Sequence, residues 1–295
     1  MHTFRTQPAR SSASDATDVG DTAPHVGSTR RTLNIGILAH VDAGKTSLTE
    51  RLLFDAGAID RLGSVDEGST LTDSGELERR RGITIRAAVA PFRVGDRRIN
   101  LIDTPGHSDF IAEVERALGV LDGAVLVLSA VEGVQAQTRV LMKTLRRLRL
   151  PTLLFVNKTD RAGAREAGML ADIRRRLASG IVPMATVQGI GTSGARTVPY
   201  AFADPEFRDA ACEGLAEADG ELLARFVDGD APGEGELRDL IADRTGRGLL
   251  HPVYFGSALS GDGVAELVDG IVTYLPERPV VGGGPAGTVF AVERG

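Results

Sequence analysis

Short apolar runs recur along the chain, separated by stretches in which apolar residues return at every third or fourth position. Six runs predict strands: Leu33–Ala39, Ala87–Val94, Arg98–Asp103, Ala124–Ser129, Thr152–Asn157 and Pro252–Ser257. Several are apolar almost throughout rather than alternating, as expected of strands covered on both faces. Helical periodicity lies between them, at Asp109–Val120, Val134–Leu148, Ala164–Leu177, Gly235–Thr245 and Gly263–Tyr274, with Pro276 closing the last. This alternation predicts an α/β fold, a three-layer doubly wound sandwich around a mostly parallel sheet. The second and third runs are the exception. Only the turn Gly95-Asp96 parts them, too little for a helical crossover, so they form a hairpin that places one antiparallel strand at the sheet edge.

Three regions fall outside the alternation. Residues 1–32 are rich in Ser, Thr, Ala, Asp and Gly, lack hydrophobic periodicity, and read as a disordered N-terminal extension. Between Asp160 and Ser257 lie about 96 residues, far more than one crossover requires, so an insertion is expected at about 165–248, before the last strand. Within it the apolar run Ile181–Val187, the turn Gly189–Gly194 and the acidic helical pattern Glu213–Val227 predict a small strand-and-helix elaboration. Residues 278–295 hold a linker and the strand-like run Gly287–Val292. A lone strand makes no stable unit, so this segment reads as the first strand of a truncated second domain, leaving 33–277 as the main domain.

Composition sets bounds on this picture. With 42% apolar and 25% charged residues, a 295-residue chain can bury a large core. A net charge of -6 argues against a broadly basic nucleic-acid face and against DNA as a partner. The basic runs Arg146-Arg147-Leu148-Arg149 and Arg174-Arg175-Arg176 read as solvated helix faces rather than RNA contacts. No apolar stretch reaches the roughly 18 residues of a membrane span. Lone Cys212 excludes an internal disulfide framework and a cysteine-based zinc site, in keeping with a reducing cytoplasm. A cytoplasmic monomer is expected. Lysine occurs only at Lys45, Lys143 and Lys158, arginine making up the rest of the 34 basic residues.

Candidate chemistry sits where the strands end. After the first comes Ala39-His40-Val41-Asp42-Ala43-Gly44-Lys45-Thr46, opening the helical stretch Ser47–Leu53. A turn of small residues lets successive backbone N–H groups converge on a phosphate, the helix N-terminus adds its positive dipole end, and Lys45 adds a mobile charge. Asp42, Ala43, Gly44, Lys45, Thr46 and Ser47 thus form a phosphate-binding loop, although Ala39 replaces the first glycine of the usual G-x-x-x-x-G-K-[ST] pattern. Asp103-Thr104-Pro105-Gly106-His107 follows the third strand. Asp103 can hold Mg²⁺, directly or through water, opposite the Thr46 hydroxyl, and Gly106 can offer its N–H to a terminal phosphate. Asn157-Lys158-Thr159-Asp160 ends the fifth strand. The Asp160 carboxylate can accept two hydrogen bonds from guanine that adenine does not offer. After the last strand, Gly256-Ser257-Ala258-Leu259 can direct a backbone N–H at the guanine O6.

This ordered set, over roughly Leu33 to Gly295, resembles the translational GTPases of the elongation factor G-like superfamily, built on the P-loop GTPase sheet. Arg81-Gly82-Ile83-Thr84-Ile85 is similar to their first switch, and His107 stands where the elongation factor G type carries histidine and Ras-like proteins a glutamine. The resemblance implies GTP hydrolysis with Lys45, Thr84 and His107 as catalytic residues. In it Thr84 caps Mg²⁺ and the γ-phosphate, and His107 orients the attacking water once the ribosome positions it. Thr46, Thr84 and Asp103 are the implied metal residues, Val41 and Ile83 the apolar gate that holds His107 back. Asp42 matches the family's loop acid, associated with a monovalent cation near the phosphates, and alanine at position 39 is common in this branch. Asn157, Lys158, Asp160, Ser257, Ala258 and Leu259 form the implied base pocket for GTP or GDP. The stretch Thr72–Gly82, with Val120–Val125 and His251–Ala258, is closest to the tetracycline-resistance ribosomal protection proteins of the actinomycete oxytetracycline-resistance type. For the full-length family this implies the ribosome as partner and release of tetracycline from it. An elongation factor G translocase and a passive guanine-nucleotide-binding fragment are the alternatives, and slow hydrolysis is expected of the truncated chain. His40 reads as shaping the loop backbone, His251 as a bystander.

Overall fold

The computed structural model describes residues 32–63, 88–103, 118–218 and 220–276. Strand β1 (Thr32–Ala39) leads into helix α1 (Lys45–Asp55), and β2 (Ala88–Val94) turns back as β3 (Arg97–Asp103). Next come β4 (Gly123–Ser129), α2 (Ala136–Arg147), β5 (Thr152–Asn157) and α3 (Ala167–Arg176). A longer excursion holds β6 (Ile181–Pro183), β7 (Ala185–Gln188), β8 (Arg196–Pro199), α4 (Pro205–Ala218), α5 (Gly220–Val227) and α6 (Glu234–Gly246). The chain returns to the sheet as β9 (His251–Phe255), followed by α7 (Val264–Tyr274).

Seven strands form the main sheet in the order β2-β3-β1-β4-β5-β9-β6. All neighbours are parallel except the β2/β3 hairpin. Every residue of β4 and β5 is buried, because helices cover both faces and leave no solvent side for polar residues to occupy. Alternate residues divide the core in two. Leu33, Ile35, Ile37, Val125, Val127, Leu153 and Phe155 pack with α1 and α7 on one face, while Leu126, Leu128, Leu154 and Val156 pack with Met142 and Leu145 of α2 and Ile173 of α3 on the other. Parallel pairing also separates the ends of the sheet. Loops leaving β1, β4, β5 and β9 share one edge, and those entering β5, β6 and β9 share the opposite one.

The three-layer α/β expectation holds, with revisions to individual elements. The run Ile181–Val187 is not a unit of the elaboration. Its first part, β6, extends the main sheet beside β9 with Ile181 opposite His251, and its second part, β7, pairs with β8 in a separate antiparallel hairpin. The pairing with β9 ends at the Met184 N–H, which donates to the Val253 carbonyl at 2.9 Å, and the hairpin register begins at Ala185 opposite Pro199. The pattern Glu213–Val227 likewise spans two helices, α4 and α5, rather than one. The final strand ends at Phe255, two residues earlier than its apolar run predicts, and Gly256-Ser257 begin the turn. The first switch, the helix expected from Asp109, and the terminal segments fall outside the described residues. Among the described helices none is long and apolar enough to cross a membrane.

Candidate functional site

The loop between β1 and α1 has the backbone of an anion cradle. Asp42 and Gly44 adopt positive φ, 64° and 95°, and Ala43 N–H donates to the His40 carbonyl at 3.2 Å. Glycine is required at position 44 twice over: by its φ, and because a Cβ there would fall 2.2 Å from the Asn157 amide nitrogen. Gly44 caps α1, whose first turn contains Lys45, Thr46 and Ser47 and no acidic residue. No acidic side chain in that turn offsets the positive end of the helix dipole, an arrangement suited to an anion. Asp103 closes β3 in register with Ile37 of the adjacent β1, which brings its backbone to the same edge of the sheet.

Asn157 joins this cradle to the loop after β9. Its side-chain amide donates to the Ala43 carbonyl at 2.8 Å and its oxygen accepts from Ala258 N–H at 2.9 Å. Both polar atoms of Asn157 are thus engaged by protein, so its contribution to the pocket includes holding the two loops in register. Arg51 of α1 reinforces the tie, donating to the carbonyls of Ala258 at 3.1 Å and Leu259 at 2.6 Å. In the segment Gly256–Leu259, the N–H groups of Gly256, Ser257 and Ala258 are all bonded to protein, to Val156, Asp262 and Asn157 respectively. The Leu259 N–H has no protein partner among the described residues. Asp160 follows at the same edge, half-buried, and its carboxylate has no protein partner among the described residues.

Behind the loops runs a polar relay. Lys158, at a positive φ of 68°, donates from Nζ to Glu132 Oε1 at 3.0 Å; Glu132 Oε2 lies 3.3 Å from His40 Nε2, and His40 Nδ1 lies 3.0 Å from the Thr138 hydroxyl. A carboxylate can only accept, so Nε2 carries the imidazole hydrogen and Nδ1 accepts from Thr138. Burial holds His40 below its ordinary pKa, against the pull of Glu132, which keeps the ring neutral. For Glu132 burial pushes upward, but the hydrogen bonds and charges of Lys158 and His40 outweigh it and hold the carboxyl below its usual range. The hairpin β7–β8 braces the base side. Gly191 N–H donates to the Thr159 carbonyl at 2.8 Å, while Asp262 Oδ2 accepts from Thr197 N–H at 2.8 Å and lies 2.8 Å from the Thr197 hydroxyl.

Residues 30–277 match the family described as the elongation factor Tu GTP binding domain. The chain belongs to this family. Among relatives of this GTP-binding domain, a tetracycline resistance protein, TetM, of Streptomyces lividans is 62% identical over 90% of this chain and 42% of its own length. An oxytetracycline resistance protein of Streptomyces rimosus is 58% identical over 89% of this chain and 40% of its own. The chain spans about two fifths of these curated relatives. A crystal structure of a Thermus thermophilus protein superposes with a TM-score of 0.72 at 30% identity, covering 84% of this chain and 41% of that one.

The GTP-binding domain therefore gathers Asp42 to Ser47, Asp103, Asn157 to Asp160 and Ser257 to Leu259 at one edge of its sheet. Thr84, Gly106 and His107 lie outside the described residues. Sequence reasoning did not single out Glu132, Arg51, Thr138 or Asp262. Glu132 follows the end of β4 at the ligand edge, a position that marks candidate residues in open α/β sheets; the other three leave no local signal.

Proposed function

We propose that this domain binds and hydrolyses GTP within a ribosomal protection protein that confers tetracycline resistance by ribosome-dependent release of the drug. The observation that carries this reading is the 62% and 58% identity to two Streptomyces resistance proteins across about nine tenths of the chain. The loop geometry supports the chemistry. Lys45 and the loop amides hold the β- and γ-phosphates, Asp160 reads guanine, Lys158 and Asn157 fix its loop, and the Leu259 N–H meets the base oxygen. Water attacks the γ-phosphorus in line as the bond to the β–γ bridging oxygen breaks, giving GDP and phosphate. Catalysis consists of positioning and charge stabilisation, with His107 orienting the water.

Thr46 and Thr84, with Asp103 in support, are hard oxygen donors that would hold Mg²⁺, and the ion, when bound, would neutralise phosphate charge. Asp42, exposed in the loop, suits a monovalent cation beside the phosphates. The protein acts as a cytoplasmic monomer on the ribosome, and the isolated chain hydrolyses GTP slowly. Calorimetric titration with GDP, a non-hydrolysable GTP analogue and ATP in Mg²⁺ tests the pocket: guanine-selective binding is expected, shifting towards xanthine nucleotides in Asp160→Asn. Equal binding of ATP would refute it. For the wider role, this chain replaces the matching segment of the Streptomyces lividans protein in a tetracycline-sensitive host. Resistance should survive the exchange and vanish with His107→Ala; a chimera that hydrolyses GTP but gives no resistance would point to a different ribosomal task.

A further inference from the structure

At the sheet edge opposite the nucleotide loops lies a cleft of about 630 Å³, walled by α2 and by the turns that lead into β6 and β9. Among the described residues, six cations line it, Arg139, Lys143, Arg146, Arg147, Arg149 and Arg176, with Glu217 the one carboxylate. All six are exposed. The first of the two basic runs that read as solvated faces in the sequence thus meets Arg176 of the second on one surface, together with the single lysine outside the nucleotide motifs. Arginines in the last turns of α2 and α3 complement the helix dipoles, which accounts for Arg146, Arg147 and Arg176. It does not account for Arg139 and Lys143, which lie in the body of α2 and form with Arg147 a row at four-residue spacing. The row presents positive charge along one wall of the cleft.

Arg149 points the same way. The bonds from Leu150 N–H to the Leu145 carbonyl (3.0 Å) and from Arg149 N–H to the Arg146 carbonyl (3.1 Å) form the helix-ending motif whose left-handed position favours glycine. Arginine occupies it at a φ of 49° and lines the cleft. Two further arginines are built into the walls: Arg146 donates to the Leu177 carbonyl at 3.0 Å and Arg176 to that of Val134 at 3.4 Å.

We propose that this cleft docks the phosphate backbone of RNA. Five of its six cations are arginine, whose planar fork grips phosphate oxygens in pairs. Among the described residues no aromatic side chain lines the cleft, so bases are not stacked and the contact is independent of sequence. An acidic protein segment would need an apolar anchor point, and of the apolar lining only Leu249 is exposed. With a net charge of -6 the rest of the chain repels nucleic acid, which concentrates attraction here.

The test is fluorescence anisotropy of a labelled mixed-sequence RNA, about 20 nucleotides long, with the full chain at about 50 to 200 mM salt. Replacing Arg139, Lys143 and Arg147 together by Gln is expected to weaken binding at least tenfold at the lowest salt. At roughly 0.7 per lost single-strand phosphate contact, it should also flatten the slope of log affinity against log salt by about 2. The equal-charge control Arg61→Gln, Arg93→Gln, Arg98→Gln, all exposed and outside the cleft, should bind within twofold of the parent. Unchanged GDP binding shows that both variants are folded. The proposal is overturned if the parent does not bind RNA, if the cleft variant binds like the parent, or if the control weakens binding equally. A poly-glutamate peptide that competes as strongly as RNA also overturns it, marking the cleft as an acidic-protein site.

Discussion

Replacing Asn157 by Ala cuts the strut between the phosphate loop and the base loop. Two buried groups lose their partners: the Ala43 carbonyl, previously 2.8 Å from the amide, and the Ala258 N–H, previously 2.9 Å from its oxygen. Ala43 is fully buried and Ala258 nearly so, so solvent reaches neither without rearrangement. An orphaned buried polar group costs about 1–3 kcal/mol, giving about 2–6 for the pair, and a water entering the vacated amide volume brings the expected loss to about 2–4 kcal/mol. In a domain of this size that corresponds to a fall in melting temperature of roughly 5–15 °C. Lys158→Ala is the contrast. Its bond to the half-exposed Glu132 is worth about 1 kcal/mol or less. Urea unfolding of both variants with and without GDP measures stability and coupling together, and GDP affinity should drop at least tenfold in Asn157→Ala because the two loops lose their register. If Asn157→Ala loses less than about 1 kcal/mol and still binds GDP like the parent, the strut does not couple the loops and the reasoning fails.

Three further outcomes follow from single residues. His251 is buried against the Thr152 carbonyl and burial lowers its pKa to about 4 from an ordinary 6.5. Below pH 6.5 the unfolded imidazole takes up a proton that the folded one refuses, so stability complete above 6.5 should fall by about 3 kcal/mol as the pH drops to 4. His251→Gln should remove that part of the slope in urea titrations across this range, and an unchanged slope would exonerate the histidine. Arg149→Gly relieves a left-handed backbone and should raise unfolding stability by about 1 kcal/mol; a loss would show that the side chain packs more than it strains. Asp262→Ala removes the acceptor for Thr197 and should cost about 2 kcal/mol, with faster amide exchange at Thr197 and trypsin cleavage at Arg196, whereas an unchanged exchange pattern would mean that the hairpin is held elsewhere.

The strands around the site were legible because burial on both faces forces apolar runs such as those of β4 and β5, and the motifs were legible because phosphate and guanine chemistry admits few residue types. β6 was not separable from its surroundings. Three residues ending in proline look like any loop, and only pairing with His251–Val253, some 70 residues later, makes them a strand. The same distance hides the supporting side chains. Arg51 acts on carbonyls 207 and 208 residues away and Glu132 on an imidazole 92 residues back, so no local spacing announces them. The motif marks Asn157 as a candidate pocket residue, but its bracing of the phosphate loop depends on Gly44 lacking a Cβ, a tertiary fact.

The position of β6 bears on how the domain could be shortened. Helix α4 lies directly on this outermost strand: at Gly214 a Cβ would stand 2.3 Å from the Ile181 carbonyl, and all three residues of β6 are buried. A truncated version lacking residues between α3 and β9 would keep every nucleotide motif on paper. It would also strip β9 of β6 and leave the buried His251-Pro252-Val253 unpaired on that side, an open sheet edge of the kind that templates edge-to-edge aggregation. The excursion therefore serves as a cover against self-association, and an attempt at a minimal domain should retain β6 and α4 even where the rest is removed.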